Sequence, residues 1–335
     1  MNESLILTSR PRRSRKSQAV RDLVAETNLN LSHLVYPVFF ADQAAPKRTE
    51  IKTLPGLFRF NCDELFFEIE DCLNLGLRSF ALFPKIQDQL KNNKATEALN
   101  TKGLVPQTIK ALKQKFPEII LFSDVALDPF SSDGHDGLVY QNQILNDETV
   151  AVLAEMAKVH ADAGVDFVSP SDMMDGRIGE IRKALEKDRY TDTGIMAYSA
   201  KYASSFYGPF RDALDSAPRA GDKKTYQMNY RNIKEALTEA QLDINEGADI
   251  IMVKPGLPYL DVIQYLSQHV TTPIAAYNVS GEYAMIKFAS QAGALNENAA
   301  IEESLYSFRR AGAQIIFTYF AKQYAEYLKT GDSHV

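Results

Sequence analysis

The chain has 335 residues and carries 37 lysines and arginines against 43 aspartates and glutamates, a formal net charge of −6. That balance excludes a basic nucleic-acid binder, while 45% hydrophobic and 24% charged residues exclude a disordered or collagen-like chain. No apolar run reaches the roughly 18 residues of a membrane span, and the basic cluster follows the first apolar residues instead of preceding them, so a cytoplasmic protein without membrane or nucleic-acid partners is expected.

Residues 1–30 read as an arm. Arg10, Arg12, Arg13, Arg15 and Lys16 precede a short stretch in which Val20, Leu23 and Val24 recur at helical spacing. The only cysteines, Cys62 and Cys72, fall in one predicted helix, which leaves neither a disulfide framework nor a CxxC site. From residue 31 to 335 eight apolar runs follow, at 34–40, 79–83, 119–124, 166–169, 194–199, 249–254, 273–280 and 313–320. They do not alternate polar with apolar. Strands buried on both faces need that composition, and such strands belong to parallel sheets covered by helices.

Segments of helical period separate the runs, clearest at 147–163 and 229–246, stopped by Gly164 and Gly247. The junctions GVDFV at 164, GADII at 247 and GAQII at 312 repeat one helix-stop, strand-start pattern. Eight strands alternating with helices, without a composition break, predict an α/β chain: one (β/α)8 TIM barrel with an extended N-terminal arm. The longest interval between strand starts, from 194 to 249, opens with a Ser-, Gly- and Pro-punctuated stretch at about 200–227, the composition of a loop acting as a lid.

A TIM barrel places its chemistry at the C-terminal strand ends. There the sequence puts Asp124, Asp128 and Asp136 after the third run, Asp172 after the fourth, Lys201 after the fifth, Lys254 at the end of the sixth, Ser280 at the end of the seventh and Tyr319 in the eighth. Lys254 closes the run IIMVK; desolvation there, with Lys201 as a second cation, would leave free amine near neutral pH, the condition for Schiff-base formation. Two lysines salt-bridged to barrel carboxylates are the alternative. Residues 124–137 (DVALDPFSSDGHDG) hold four aspartates and His135, a composition suited to Mg²⁺ or proton transfer and equally to a solvated acidic turn. Arg211, Lys223, Lys224 and Gln227 in the lid are donors suited to a substrate carboxylate.

Six motifs, 124–137, 169–177 (SPSDMMDGR), 196–211 (MAYSAKYASSFYGPFR), 221–228 (GDKKTYQM), 252–256 (MVKPG) and 277–283 (YNVSGEY), closely resemble the porphobilinogen synthase (5-aminolaevulinate dehydratase) family in order along nearly the whole chain. The resemblance implies a hydro-lyase that condenses two 5-aminolaevulinate molecules to porphobilinogen, in tetrapyrrole (haem or chlorophyll) biosynthesis. By motif, Lys254 and Lys201 would form the two Schiff bases, and Asp124 and Asp136 would bind an amino group or move protons. Ser280 and Tyr319 would hold one substrate carboxylate, Arg211, Lys223 and Gln227 the other, with Phe210 packed in the lid.

Zinc-dependent members carry cysteines where this chain has Ala126, Asp128 and Asp136, so no catalytic zinc is expected. The chain is similar instead to the aspartate-rich branch with an allosteric Mg²⁺, which Glu239 would contact directly and Asp172 through water. The resemblance also implies a homo-octamer of arm-exchanging dimers. A class I aldolase-like Schiff-base lyase needs one lysine and usually a phosphate loop that is not evident here. A non-catalytic precursor-binding barrel would have no reason to keep two desolvated amines.

Overall fold

A computed structural model describes residues 6–214 and 219–330, without the side chains of residues 211 and 212. Eight strands form the barrel: β1 Leu34–Ala41, β2 Ser79–Pro84, β3 Ile120–Val125, β4 Phe167–Pro170, β5 Gly194–Lys201, β6 Ile250–Lys254, β7 Ile274–Asn278 and β8 Ile315–Thr318. Each pairs in parallel with its sequence neighbour, and β8 closes on β1 with Leu34 opposite Ile316 and Val35 opposite Phe317. Every residue of β1, β2, β6 and β7 is buried, because side chains on one face fill the barrel and those on the other meet the helices. The interior is packed with rings, not open. Phe122 of β3 meets Phe317 of β8 across it at 5.2 Å between centroids, and Phe317 meets Tyr277 of β7 at 5.6 Å.

Gly164, Gly247 and Gly312 all take left-handed φ, at +94°, +106° and +112°, and return the chain from helices Asn146–Asp162, Lys234–Glu246 and Glu297–Ala311 to the next strand. The second of these helices starts at Lys234, later than the periodicity suggested, since Asn229 and Asn232 lie in turns before it. Two expected strand ends are also shorter. β7 stops at Asn278, so Ser280 opens helix Ser280–Gln291; β8 stops at Thr318, so Tyr319 lies just beyond it. The Thr318 hydroxyl donates to Asn278 Oδ1 at 2.9 Å and accepts the Phe320 N–H at 3.2 Å, turning the chain out of the sheet.

Two hairpins were not legible from periodicity. Arg48–Glu50 pairs antiparallel with Phe58–Asn61, which extends the sheet beside the end of β1. Leu138–Tyr140 pairs with Gln143–Leu145 through a two-residue turn in which Gln141 and Asn142 both have positive φ, without the glycine that normally announces such a turn. The arm forms a 3-10 turn Pro11–Arg15 and helix Gln18–Leu23, neither with a buried residue. It rejoins its own barrel where Arg309 Nε donates to the Asn28 carbonyl at 3.1 Å.

Candidate active site

The strand ends converge on a cavity lined by Asp124, Asp128, Asp136, Lys201, Phe210, Lys223, Gln227, Lys254, Ser280 and Tyr319, with Phe83, Ser171, Tyr207, Tyr277 and Val279. Lys201 and Lys254 end adjacent strands and stand directly opposite in register. A one-residue bulge makes this possible: Ile251 pairs with Ala197 but Val253 pairs with Ala200, so β5 carries one residue more than β6 at that point. Strict alternation would aim Tyr198 and Lys201 to opposite faces. The bulge allows both inward, and Lys201 Nζ lies 5.9 Å from the Tyr198 ring centre.

The two amines have different surroundings. Lys201 pairs with Asp136 at 3.2 Å and donates to the Ser171 carbonyl. Lys254 has no carboxylate partner among the described residues; four rings surround its Nζ instead, Tyr277 at 4.6 Å, Tyr198 at 5.0 Å, Phe210 at 5.2 Å and Tyr207 at 5.4 Å. Burial first, and then the Lys201 charge, lower its pKa to about 7. The backbone of Lys254 is fixed from outside, its carbonyl accepting the Tyr202 N–H at 2.9 Å and the Tyr207 hydroxyl at 3.0 Å.

The aspartates divide similarly. Asp124 is raised to about 7 by burial and by the Asp128 charge, and its Oδ1 is buried without a hydrogen-bond partner. Asp136 would be raised by burial as well, but Lys201 and Lys223 override that and hold it at about 2. Lys223 lies 2.5 Å from Asp136 and 3.4 Å from Asp128, so the expected carboxylate donor is engaged with the acidic segment. One carboxylate is thus suited to exchanging a proton near neutrality and the other to staying ionised.

The segment expected as a loop contains a 3-10 turn Ser205–Tyr207 and helix Gly208–Leu214. Phe210 packs edge-on against Phe83 at 5.2 Å. Its N–H donates to Ser280 Oγ at 3.1 Å, and that hydroxyl faces the Phe206 carbonyl at 3.3 Å. The side chain of Arg211 and residues 215–218 lie outside the described residues. Beyond them His135 contacts the Ala220 carbonyl at 2.9 Å and the Tyr226 hydroxyl at 3.1 Å, which fastens the second half of the segment to the acidic stretch. Tyr319 meets the Tyr277 hydroxyl at 3.1 Å.

Glu239 is placed elsewhere, on the wall of a second, wider cleft with Asp175, Asn232 and Glu235. Burial raises its pKa, and Asp243, Asp175 and Glu235 add to that against the pull of Arg177. Asp172 does not share this wall. It is fully buried, accepts the Met174 N–H at 2.7 Å and faces Arg177 Nε at 3.7 Å. No group of three or more His, Cys, Asp or Glu among the described residues forms a ready-made metal cluster. The aromatic walls, Phe83, Tyr198, Tyr207 and Tyr277, were missed by sequence reasoning. Tyr277, next to the last residue of its strand, was open to the same strand-end logic that selected Lys254.

The sequence matches the family profile described as Delta-aminolevulinic acid dehydratase over residues 8–327. A chloroplastic delta-aminolevulinic acid dehydratase from Physcomitrium patens is 53% identical over 328 residues, 97% of this chain and 75% of that protein. The enzyme of the same name from Oryza sativa subsp. japonica is 54% identical over 328 residues, 97% and 76% of the two chains. The crystal structure of delta-aminolevulinic acid dehydratase from Toxoplasma gondii ME49, in complex with the reaction product porphobilinogen, superposes with a TM-score of 0.95 at 48% identity, covering 98% of this chain and 95% of that one. These names correct the cytoplasmic expectation: the plant relatives are named chloroplastic, which is a plastid location. Overall composition does not separate cytosol from plastid stroma. Through a profile spanning nearly the whole chain, relatives above half identity and a matching barrel, this chain belongs to the delta-aminolevulinic acid dehydratase (porphobilinogen synthase) family.

Proposed function

We propose that the porphobilinogen synthase reaction of this chain, the condensation of two 5-aminolaevulinate molecules with loss of two waters, runs through Schiff bases on Lys254 and Lys201. The reaction itself, a lyase step in porphyrin biosynthesis, comes with the family and with the product bound in the related structure. The observation that carries the mechanism is the pair of adjacent buried lysines, one caged by aromatic rings and one paired to a carboxylate.

Lys254 reacts first, because near neutral pH a large share of it is free amine. Its nitrogen attacks the ketone carbon of one substrate; the carbinolamine oxygen takes a proton and leaves as water, giving an iminium. Asp124, titrating near neutrality, is the proton source. The ring cage suits a delocalised, weakly hydrated cation better than a compact ammonium. The carboxylate of this substrate binds Ser280 and Tyr319, where the first turn of helix Ser280–Gln291 offers free N–H groups.

Lys201 must give up its proton before it can attack the second substrate. The carboxylate of that substrate, received by Gln227, Arg211 and Lys223, draws Lys223 from Asp136 and leaves Asp136 free to assist that transfer. One carbon–carbon and one carbon–nitrogen bond then join two molecules tethered in one cavity, an effectively unimolecular step. Both lysines are regenerated.

Mg²⁺ would be held away from this cavity, with Glu239 as a direct ligand, while buried Asp172 faces Arg177 and does not line that cleft. A half-buried carboxylate among other negative charges fits such an ion, which supplies charge compensation and no chemical step. The uncovered arm supports assembly as arm-exchanging dimers in a homo-octamer.

The test is borohydride reduction with 5-aminolaevulinate, followed by intact mass and peptide mapping. Reduced adducts on Lys254 and Lys201 are expected; pyrrole formation with neither adduct would reject the two-Schiff-base mechanism.

A further inference from the structure

We infer that Glu282 is a positioning residue for Lys254: a buried carboxylate that fixes the chain just after β6 and ties it to the ends of β7 and β8. The inference rests on the reading of Lys254 as a Schiff-base lysine. Glu282 has no exposed surface and lines neither cleft described above. Among the described residues it has no cation partner, so it is not a salt-bridge residue. Its Oε1 accepts the Gly256 N–H at 3.0 Å and its Oε2 accepts the Asn278 side-chain amide at 2.8 Å. Backbone N–H groups of Leu257 and Val279 also favour its charged form, against the burial that pushes it up to about 7.

Gly256 is two residues from Lys254, in the loop that leaves the strand. That loop has no room to drift: a Cβ on Gly256 would stand 2.4 Å from the Phe308 ring and 2.9 Å from the Tyr277 carbonyl. Asn278 ends β7 and accepts the Thr318 hydroxyl from the end of β8 at 2.9 Å. A chain of hydrogen bonds therefore runs Thr318, Asn278, Glu282, Gly256, joining the three strand ends that carry Lys254, Tyr277 and Tyr319. Lys254 lacks a carboxylate to orient it, so the aim of its Nζ depends on this backbone and on the ring cage. A carboxylate accepts at both oxygens, whereas a glutamine accepts at one and turns a donor toward either Gly256 or Asn278.

The experiment is single-turnover borohydride trapping on the full chain, mapped separately to Lys254 and Lys201, together with kcat and KM for 5-aminolaevulinate. Glu282→Gln, folded as judged by thermal melting, is expected to slow trapping at Lys254 and lower kcat by about tenfold to a hundredfold, with KM and Lys201 trapping within about twofold. Thr318→Val, which removes the outermost donor together with the acceptor of the Phe320 N–H, is expected to slow Lys254 trapping by about twofold to fivefold, and decides the matter if Glu282→Gln does not fold. Unchanged Lys254 trapping, or an equal loss at both lysines, overturns the inference. Absence of any Lys254 adduct in the unsubstituted chain overturns the functional reading as well, and is recognised before any variant is made.

Discussion

Lys254 and Lys201 share a side chain and a depth of burial, and differ in what answers their charge. Lys254 titrates near 7, so its nucleophilic fraction falls tenfold for each pH unit below that value and saturates above it. Trapping at Lys254 as a function of pH should therefore show an acid limb with its midpoint near 7. Burial is the largest cause of the lowered pKa, and the charged neighbours adjust it. Asp124 raises the Lys254 pKa and Lys201 lowers it, so Asp124→Asn should move the midpoint to lower pH and Lys201→Met to higher pH; a common direction for both would contradict the electrostatic account. Lys254→Met keeps the volume of the side chain and removes the nucleophile, so pyrrole formation should fall below about 1% in a barrel that still melts cooperatively. The position of both lysines was legible in the sequence as strand ends and matched motifs. Their difference was not, because it arises from Asp136 and from four rings brought from β5, β7 and the segment after β5.

At the scale of elements, three glycines after helices were legible because only one backbone conformation reverses the chain there without a Cβ penalty. Their environments differ, which gives a graded test. Gly164→Ala meets nothing closer than Lys113 Cγ at 4.0 Å and should cost about 1 kcal/mol, the penalty of left-handed φ alone. Gly312→Ala would place its Cβ 2.5 Å from Ser267 Cβ, so urea unfolding should show a larger loss than for Gly164→Ala. Equal losses would mean that helix Leu260–Ser267 yields freely. The bulge in β5 was hidden from the sequence: the apolar run shows no two-residue alternation in which a shift could be read, and a bulge leaves no composition mark when both faces are buried. The Leu138–Tyr140 hairpin was missed for a related reason, since its turn uses Gln141 and Asn142.

For the whole molecule, the arm carries the two most exposed large apolar side chains among the described residues. Ile6 is 96% and Leu23 82% exposed, while Leu29 and Leu31 pack against the core, so the boundary between uncovered and docked chain falls near residue 28. A second copy is the occupant expected from the family resemblance, and assembly would then be linked to whatever stabilises the assembled form. If Mg²⁺ binds that form better, it raises the assembled fraction and the activity together, by mass action and not by chemistry. Sedimentation of the full chain should show a large species that grows with Mg²⁺ and recedes with EDTA, in step with pyrrole formation. Removal of residues 1–25 should yield a smaller species at every Mg²⁺ concentration, with Lys254 still trapped by borohydride because the barrel contains all of that cavity. Glu239→Ala should lose the Mg²⁺ response while keeping the arm. An unchanged species with and without Mg²⁺, alongside activity that still responds, would separate the ion from assembly and place its effect within a single barrel, where Arg177, shared between Asp172 and Asp243, is the described connection from the Glu239 helix toward the Lys201 strand.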